Sequence, residues 1–147
     1  MFRGLREPAG RAIRYQRGQK LLTPNILLYE KESVANMKLT LNGIKETAAW
    51  EAAGIKLPSY SIEQVAEETK KAPVWVHFGA GNIFRIFIGG LADRLIAQGE
   101  MKKGITCVET FDFDVVDKIY KPYDNLVLAV TLKADGSTDK QVIGSLT

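Results

Sequence analysis

Apolar residues along this chain fall into short runs separated by glycine and proline, and the spacing within each run predicts a different element. Val74-Trp75-Val76-His77-Phe78, introduced by Pro73, is nearly continuous and β-prone, the pattern of a strand covered on both faces. Gly79-Ala80-Gly81-Asn82 then turns the chain. From Ile83 to Gln98, the residues Phe84, Phe87, Ile88, Leu91, Ala92, Leu95 and Ile96 recur at the spacing of one helical face, and Gly99 closes the segment. Ile105-Thr106-Cys107-Val108 predicts a second buried strand with Glu109 at its carboxyl end. Strand, glycine turn, helix and strand make one βαβ unit, whose right-handed crossover makes the two strands parallel.

The flanking segments carry their own punctuation. A helical patch from Lys45 to Ala53 is closed by Gly54, and Pro58 breaks the pattern. Ser61 followed by Gln64 reads as a capping box for a helix with Ile62, Val65 and Ala66 on its apolar stripe, ending at Lys70-Lys71, where cations suit the helix dipole. Asp114 to Tyr120 predicts a short helix stopped by Pro122. Leu126, Leu128, Val130 and Leu132 alternate with their neighbours, and an Asp135-Gly136 turn leads into Gln141 to Gly144, which predicts a β-hairpin. The expected class is α/β: a partial, doubly wound nucleotide-binding domain of Rossmann type, truncated because the strands are too few to complete it, with the hairpin near the C-terminus. Residues 1–36 form a leader, 37–73 a lead-in with a helix, and 74–147 the partial nucleotide-binding domain.

Composition changes this picture mainly at the front. The chain has 147 residues and a net charge of +3, yet residues 1–36 hold seven basic and three acidic residues, so the basicity belongs to the leader. Gly4, Pro8, Gly10 and Gly18 interrupt any helix that its arginines would decorate, and no aromatic patterning accompanies them, so a nucleic-acid partner is not indicated. A transit peptide would be rich in serine, and the first serine is Ser33. Met37-Lys38-Leu39-Thr40-Leu41-Asn42-Gly43 reads like a natural start, and the leader like translated upstream sequence. No apolar run is long enough for a membrane span or an export signal, which makes the cytoplasm the expected compartment. Cys107 lies in an apolar run and reads as a structural thiol.

The chemistry sits at the glycine turn. Gly79-x-Gly81 directly after a strand and opening a helix is where a dinucleotide pyrophosphate binds: the first glycine permits the turn, the second admits the phosphates, and the helix N-terminus offers free N–H groups. Phe84 stands where the common fingerprint has its third glycine, and Gly89-Gly90 can supply close helix packing instead. Asn82 can bond the turn or a phosphate oxygen, and Arg85 can reach a pyrophosphate. Glu109 is placed to accept hydrogen bonds from ribose hydroxyls and to repel a 2′-phosphate, selecting NAD over NADP, with Asp112 as the runner-up. Asp112, Asp114 and Asp117 otherwise read as capping and solvating a short helix. His77 reads as a packed, hydrogen-bonded strand residue rather than a base. A methyltransferase also uses a glycine turn after its first strand, but it carries an acid where this chain has His77.

His77-Phe78-Gly79-Ala80-Gly81-Asn82-Ile83-Phe84-Arg85 resembles the N-terminal nucleotide-binding signature of the mannitol dehydrogenase family, long-chain polyol and uronate dehydrogenases that include fructuronate and tagaturonate reductases. That family also lacks the third glycine. Leu41-Asn42-Gly43-Ile44-Lys45 and Ala48-Ala49-Trp50-Glu51-Ala52-Ala53-Gly54-Ile55 look most like the fructuronate reductase branch, and Phe84 replaces a His common in the polyol dehydrogenases. The resemblance covers residues 37–147. It implies a cytoplasmic oxidoreductase that moves hydride between NAD and a sugar alcohol or keto-uronate, without a metal and with no specific protein partner. Its catalytic Lys, Asn and His would lie on a C-terminal domain beyond these residues. Only cofactor residues carry over: Gly79, Ala80, Gly81, Asn82, Ile83, Phe84 and Arg85 by motif and Glu109 by position, with no catalytic residue in the chain.

Overall fold

A computed structural model describes residues 37–147; the expectation for the leader, residues 1–36, lies outside them. The described chain is a mixed α/β fold with five strands: β1 (Ile55–Lys56), β2 (Val76–Phe78), β3 (Thr106–Val108), β4 (Val127–Leu132) and β5 (Thr138–Ile143). The helices are α1 (Thr47–Ala52), α2 (Ile62–Lys71), α3 (Gly89–Ala97) and the single turn α4 (Phe113–Val115). No helix among the described residues is long and apolar enough to cross a membrane.

The βαβ unit forms as its pattern predicts. β2 and β3 pair in parallel, with Val76 opposite Thr106, His77 opposite Cys107 and Phe78 opposite Val108. The hairpin forms too: β4 and β5 pair antiparallel from Val127 opposite Ile143 to Leu132 opposite Thr138. Gly136, at φ +81°, takes the left-handed turn conformation that glycine adopts without steric cost. β1 adds itself in parallel to β5, a pairing that two residues of pattern do not announce. Beyond β5 the chain crosses to the free side of β3. Ile105 N–H donates to Ser145 O at 2.8 Å, Thr147 N–H to Ile105 O at 2.9 Å and Cys107 N–H to Thr147 O at 3.1 Å, a parallel bridge that joins the two sheets.

Helix α2 starts where Ser61 places it, its hydroxyl accepting the Gln64 N–H at 3.2 Å. Buried Ile62 and Val65 form its inner stripe. Thr69, wholly buried, donates its hydroxyl to Val65 O at 2.6 Å and accepts the Gly104 N–H at 2.7 Å, tying the helix to the start of β3. Two apolar clusters result. Trp50, Ile55, Ile62, Leu126 and Val142 seat the lead-in on the hairpin, while Ala80, Phe84, Ala92, Ile105, Tyr120 and Leu146 fill the space beneath the glycine turn.

Three expectations need correction. The helix after the turn is not one α-helix: Ile83–Ile88 is π-helical and α3 begins at Gly89. An i→i+5 stretch advances the helix face out of step with an α-helix. Phe84, Gly89, Ala92, Asp93 and Ile96 therefore face inward, whereas Phe87, Leu91 and Leu95, expected on the same face, are exposed. β2 is not covered on both faces. His77 stacks on helical Phe84, but Val74 and Phe78, on the alternate face, are each 71% exposed because no described element packs there. The helix that ends at Tyr120 is not one α-helix either. A second π-helical stretch, Val116–Tyr120, runs into a 3-10 turn, Lys121–Tyr123, in whose first turn Pro122 sits without a lost hydrogen bond.

Of the two glycines expected to supply close packing, Gly89 does so, whereas Gly90 leaves room for a side chain. A Cβ on Gly89 would lie 3.1 Å from Leu146 Cδ2 and 3.5 Å from Ile143 Cγ2, and one on Gly90 would lie 3.5 Å from Ile143 Cδ1. Ser145 completes the contact, its hydroxyl donating to Gly89 O at 2.8 Å.

Candidate nucleotide-binding turn

The turn from β2 into the helix has a fixed shape with identifiable causes. Gly79 sits at φ +101°, a conformation that L side chains rarely adopt, so the turn depends on glycine there. Gly81 needs no such freedom, but a Cβ on it would meet nothing within 4 Å, so the space over its backbone is open. Gly79 N–H donates to Val108 O at 2.8 Å, continuing the β2–β3 ladder by one bond.

Ala80 between them is the fixed point. It is 1% exposed, and its N–H donates to Glu109 Oε2 at 2.9 Å. Its carbonyl accepts from Arg85 Nη1 at 3.0 Å and from the Tyr120 hydroxyl at 3.1 Å. Asn82 Oδ1 accepts from Arg85 Nη2, so Asn82 and Arg85 brace each other and the turn. Ile83 projects from the helix start and is well exposed, while Phe84 is 3% exposed and holds the strand by stacking on His77, ring centroids 4.2 Å apart and planes 5° from parallel. Close packing at the absent third glycine is thus replaced by an aromatic pair. That stack also corrects the reading of His77, for which stacking rather than a side-chain hydrogen bond provides the anchoring.

Glu109 stands at the end of β3, beside the turn. Besides Ala80, its Oε1 accepts the N–H groups of Thr110 at 2.9 Å, Phe111 at 2.9 Å and Asp112 at 3.2 Å. These backbone donors hold its carboxyl below the usual carboxylate range, Phe111 and Ala80 contributing most, and the group is ionised at neutral pH. Oε1 carries three of the four bonds and Oε2 only one, which leaves acceptor capacity on Oε2 for an incoming hydroxyl. Asp112 contributes its backbone and no side-chain cap to the helix after it. Asp114 and Asp117 pair with Lys118 and Lys121, each at 2.6 Å, as exposed i,i+4 ion pairs.

Tyr120 is the residue at the turn that the sequence pattern does not single out. It lies 40 positions from Ala80, at the end of a helical stretch, with no local feature pointing to the turn. Burial pushes its hydroxyl well above the ordinary tyrosine value, so it remains a donor throughout the working range. Cys107 sits beneath the same turn, its thiol 3.8 Å from Gly79 O and 3.9 Å from the Tyr120 oxygen. Burial raises that thiol, which agrees with a packing role. No group of three or more His, Cys, Asp or Glu side chains placed to hold a metal ion lies among the described residues.

No protein-family model matches the chain. Over 110 residues, 75% of this chain, it is 46% identical to the D-mannonate oxidoreductase of Thermotoga maritima. Among solved structures it resembles a substrate-free D-sorbitol dehydrogenase, with 23% identity and a TM-score of 0.52 over 64% of this chain and 19% of that one. It also resembles the mannitol 2-dehydrogenase of Pseudomonas fluorescens in a ternary complex with NAD and D-mannitol, with 25% identity and a TM-score of 0.52 over 63% of this chain and 18% of that one. The chain spans about a fifth of the length of each: 20% of the curated relative, 19% and 18% of the two structures.

Proposed function

Because the chain belongs to the mannitol dehydrogenase family, we propose that it is the N-terminal, NAD-binding portion of an oxidoreductase acting on a sugar alcohol or keto-uronate. One observation carries this reading. Gly79 and Ala80 have their N–H groups bonded within the protein, whereas Gly81 has an open backbone and an unbonded N–H among the described residues, at the start of a helical run of 15 residues. A free donor, open space and a helix N-terminus together fit a pyrophosphate. Glu109 on the next parallel strand fits the ribose at the other end of the same half-cofactor.

In this reading the residues divide the work of holding the nucleotide. Gly79 shapes the turn, Gly81 and Asn82 face the phosphates, Ile83 and Phe84 begin the helix, and Arg85 and Ala80 keep the turn in place. Glu109 accepts a ribose hydroxyl at Oε2 and disfavours a 2′-phosphate through its charge. NAD, when bound, supplies the hydride acceptor or donor. The 46% identity to D-mannonate oxidoreductase supports a keto-uronate of the fructuronate type as the substrate class. A cytoplasmic setting is part of the same proposal.

The chain by itself is expected to bind nucleotide weakly and to catalyse nothing. Hydride transfer requires the nicotinamide against the substrate carbon and a group to exchange the hydroxyl proton. Near the turn the sole histidine, His77, is stacked under Phe84. Calorimetric titration of the purified chain with NADH, and with S-adenosylmethionine in parallel, tests the reading: saturable binding of NADH alone supports it, and preference for S-adenosylmethionine overturns it. Turnover of fructuronate, tagaturonate or fructose that tracks the purified chain would show that catalytic residues lie within it.

A further inference from the structure

The orientation of one peptide group in the turn depends on a residue outside the glycine motif, and its bearing on phosphate binding rests on the nucleotide reading of this site. The Ala80 carbonyl is held by two donors, the Tyr120 hydroxyl at 3.1 Å and Arg85 Nη1 at 3.0 Å. Tyr120 is 5% exposed and its ring lies 5.8 Å beneath the Arg85 guanidinium, so both donors belong to the protein side of the turn. In a planar trans peptide the C=O and the following N–H point in opposite directions. Drawing the Ala80 carbonyl inward therefore turns the Gly81 N–H outward, into the space where a Cβ would meet nothing within 4 Å.

We propose that Tyr120 is a positioning residue for dinucleotide binding: its buried hydroxyl fixes the Ala80-Gly81 peptide plane so that the Gly81 N–H faces a phosphate oxygen. The ligand is not touched by Tyr120 itself. Without the hydroxyl, glycine at position 81 lets the plane rotate, and a carbonyl then competes for the face that the phosphate needs. Arg85 Nη1 donates to the same carbonyl while its Nη2 is engaged by Asn82 Oδ1, so removing the Tyr120 hydroxyl leaves the carbonyl with one of its two donors.

Tyr120→Phe keeps the ring under Arg85 and removes one oxygen. The expected result is a loss of about tenfold in NADH affinity, the scale of one hydrogen bond to a fixed group. Adenosine, which has no phosphate, should bind as it does to wild type. Equal NADH affinity in wild type and a folded Tyr120→Phe overturns the proposal, and so does a parallel loss for adenosine, which would mark a merely structural role. Should Tyr120→Phe fail to fold, pyrophosphate titration of the wild-type chain by ¹H–¹⁵N NMR decides: the Gly81 amide must be the turn resonance that shifts, with those of Gly79 and Ala80 unmoved. Wild type that binds no NADH refutes the nucleotide reading itself, an outcome separate from the others.

Discussion

Tyr60 donates a 2.5 Å hydrogen bond to Asp93, joining the lead-in segment to the inner face of α3. The same Asp93 oxygen accepts the Gly144 N–H at 2.9 Å, so one carboxylate ties three separate parts of the chain together. Asp93 is 8% exposed, and burial raises its pKa although both hydrogen bonds pull it down; Tyr60 is raised as well, by burial first and by Asp93 second.

Tyr60→Phe should therefore destabilise the fold by about 1–3 kcal/mol, since it leaves a buried carboxylate with one partner fewer. Denaturant unfolding of the two proteins measures it, and a change within error would mean that the pair contributes nothing net.

The raised pKa of Asp93 also sets the sign of a pH effect. The folded state holds this proton more tightly than the unfolded chain, so the contribution of Asp93 to stability is fully present below the unfolded value of about 3.9 and is lost as pH rises through the folded value. Asp93→Asn, which cannot titrate, should gain stability relative to wild type as pH rises above the ordinary aspartate value and through the raised one. Parallel unfolding curves across that range would show a constant difference if the idea is wrong.

Glu109 has the opposite sign. Its pKa is lowered by the backbone donors, so the clamp on Ala80 is present above the ordinary glutamate value of about 4.3 and is lost only as pH falls through the depressed one. The Ala80 amide resonance should thus titrate with a midpoint below that of a model glutamate. Glu109→Ala should also bring the affinities for NADH and NADPH towards equality. An unchanged preference would move the discrimination to another group.

The paired glycines make a graded prediction. Ala in place of Gly in a helix gains roughly 1 kcal/mol where there is room. At Gly90 the new Cβ would meet Ile143 Cδ1 at 3.5 Å and Gln141 Nε2 at 3.6 Å, ordinary contacts, so Gly90→Ala should raise the melting temperature. At Gly89 the 3.1 Å approach to Leu146 Cδ2 offsets the gain, and Gly89→Ala should be neutral or worse. Gly144→Ala places a Cβ 2.7 Å from Ile62 Cδ1 and Cγ1 and should be clearly destabilising, by about 1–3 kcal/mol. Thermal melts of the three variants should fall in that order.

Legible in the sequence was whatever neighbouring residues decide together. The run into Gly79, the Ser61 cap and the alternation from Leu126 to Leu132 each specify their own backbone, and each forms where expected. The phase of the helix after Ile83 was not legible, because a π-helical start changes which residues face inward without changing composition. Asp93, which is not among the residues of the apolar face read from the sequence, is buried. At the site, glycines and Glu109 declare themselves by position after a strand, but Tyr120 reaches Ala80 only through the folded chain.

The segment that joins the two sheets is made after the βαβ unit that it supports. Val142, Ile143, Ser145 and Leu146 are all 3% exposed or less, and they pack against α3 and beside β3. During synthesis, which proceeds at about 5–20 residues per second, the βαβ unit is complete by Glu109 yet has neither the strand that flanks β3 nor Leu146 against Gly89. The glycine turn and its helix must therefore wait, unsupported on that side, until residues 142–147 have left the ribosome. A stalled chain ending before Val142 should be protease-sensitive throughout α3, while one that has released Thr147 should not.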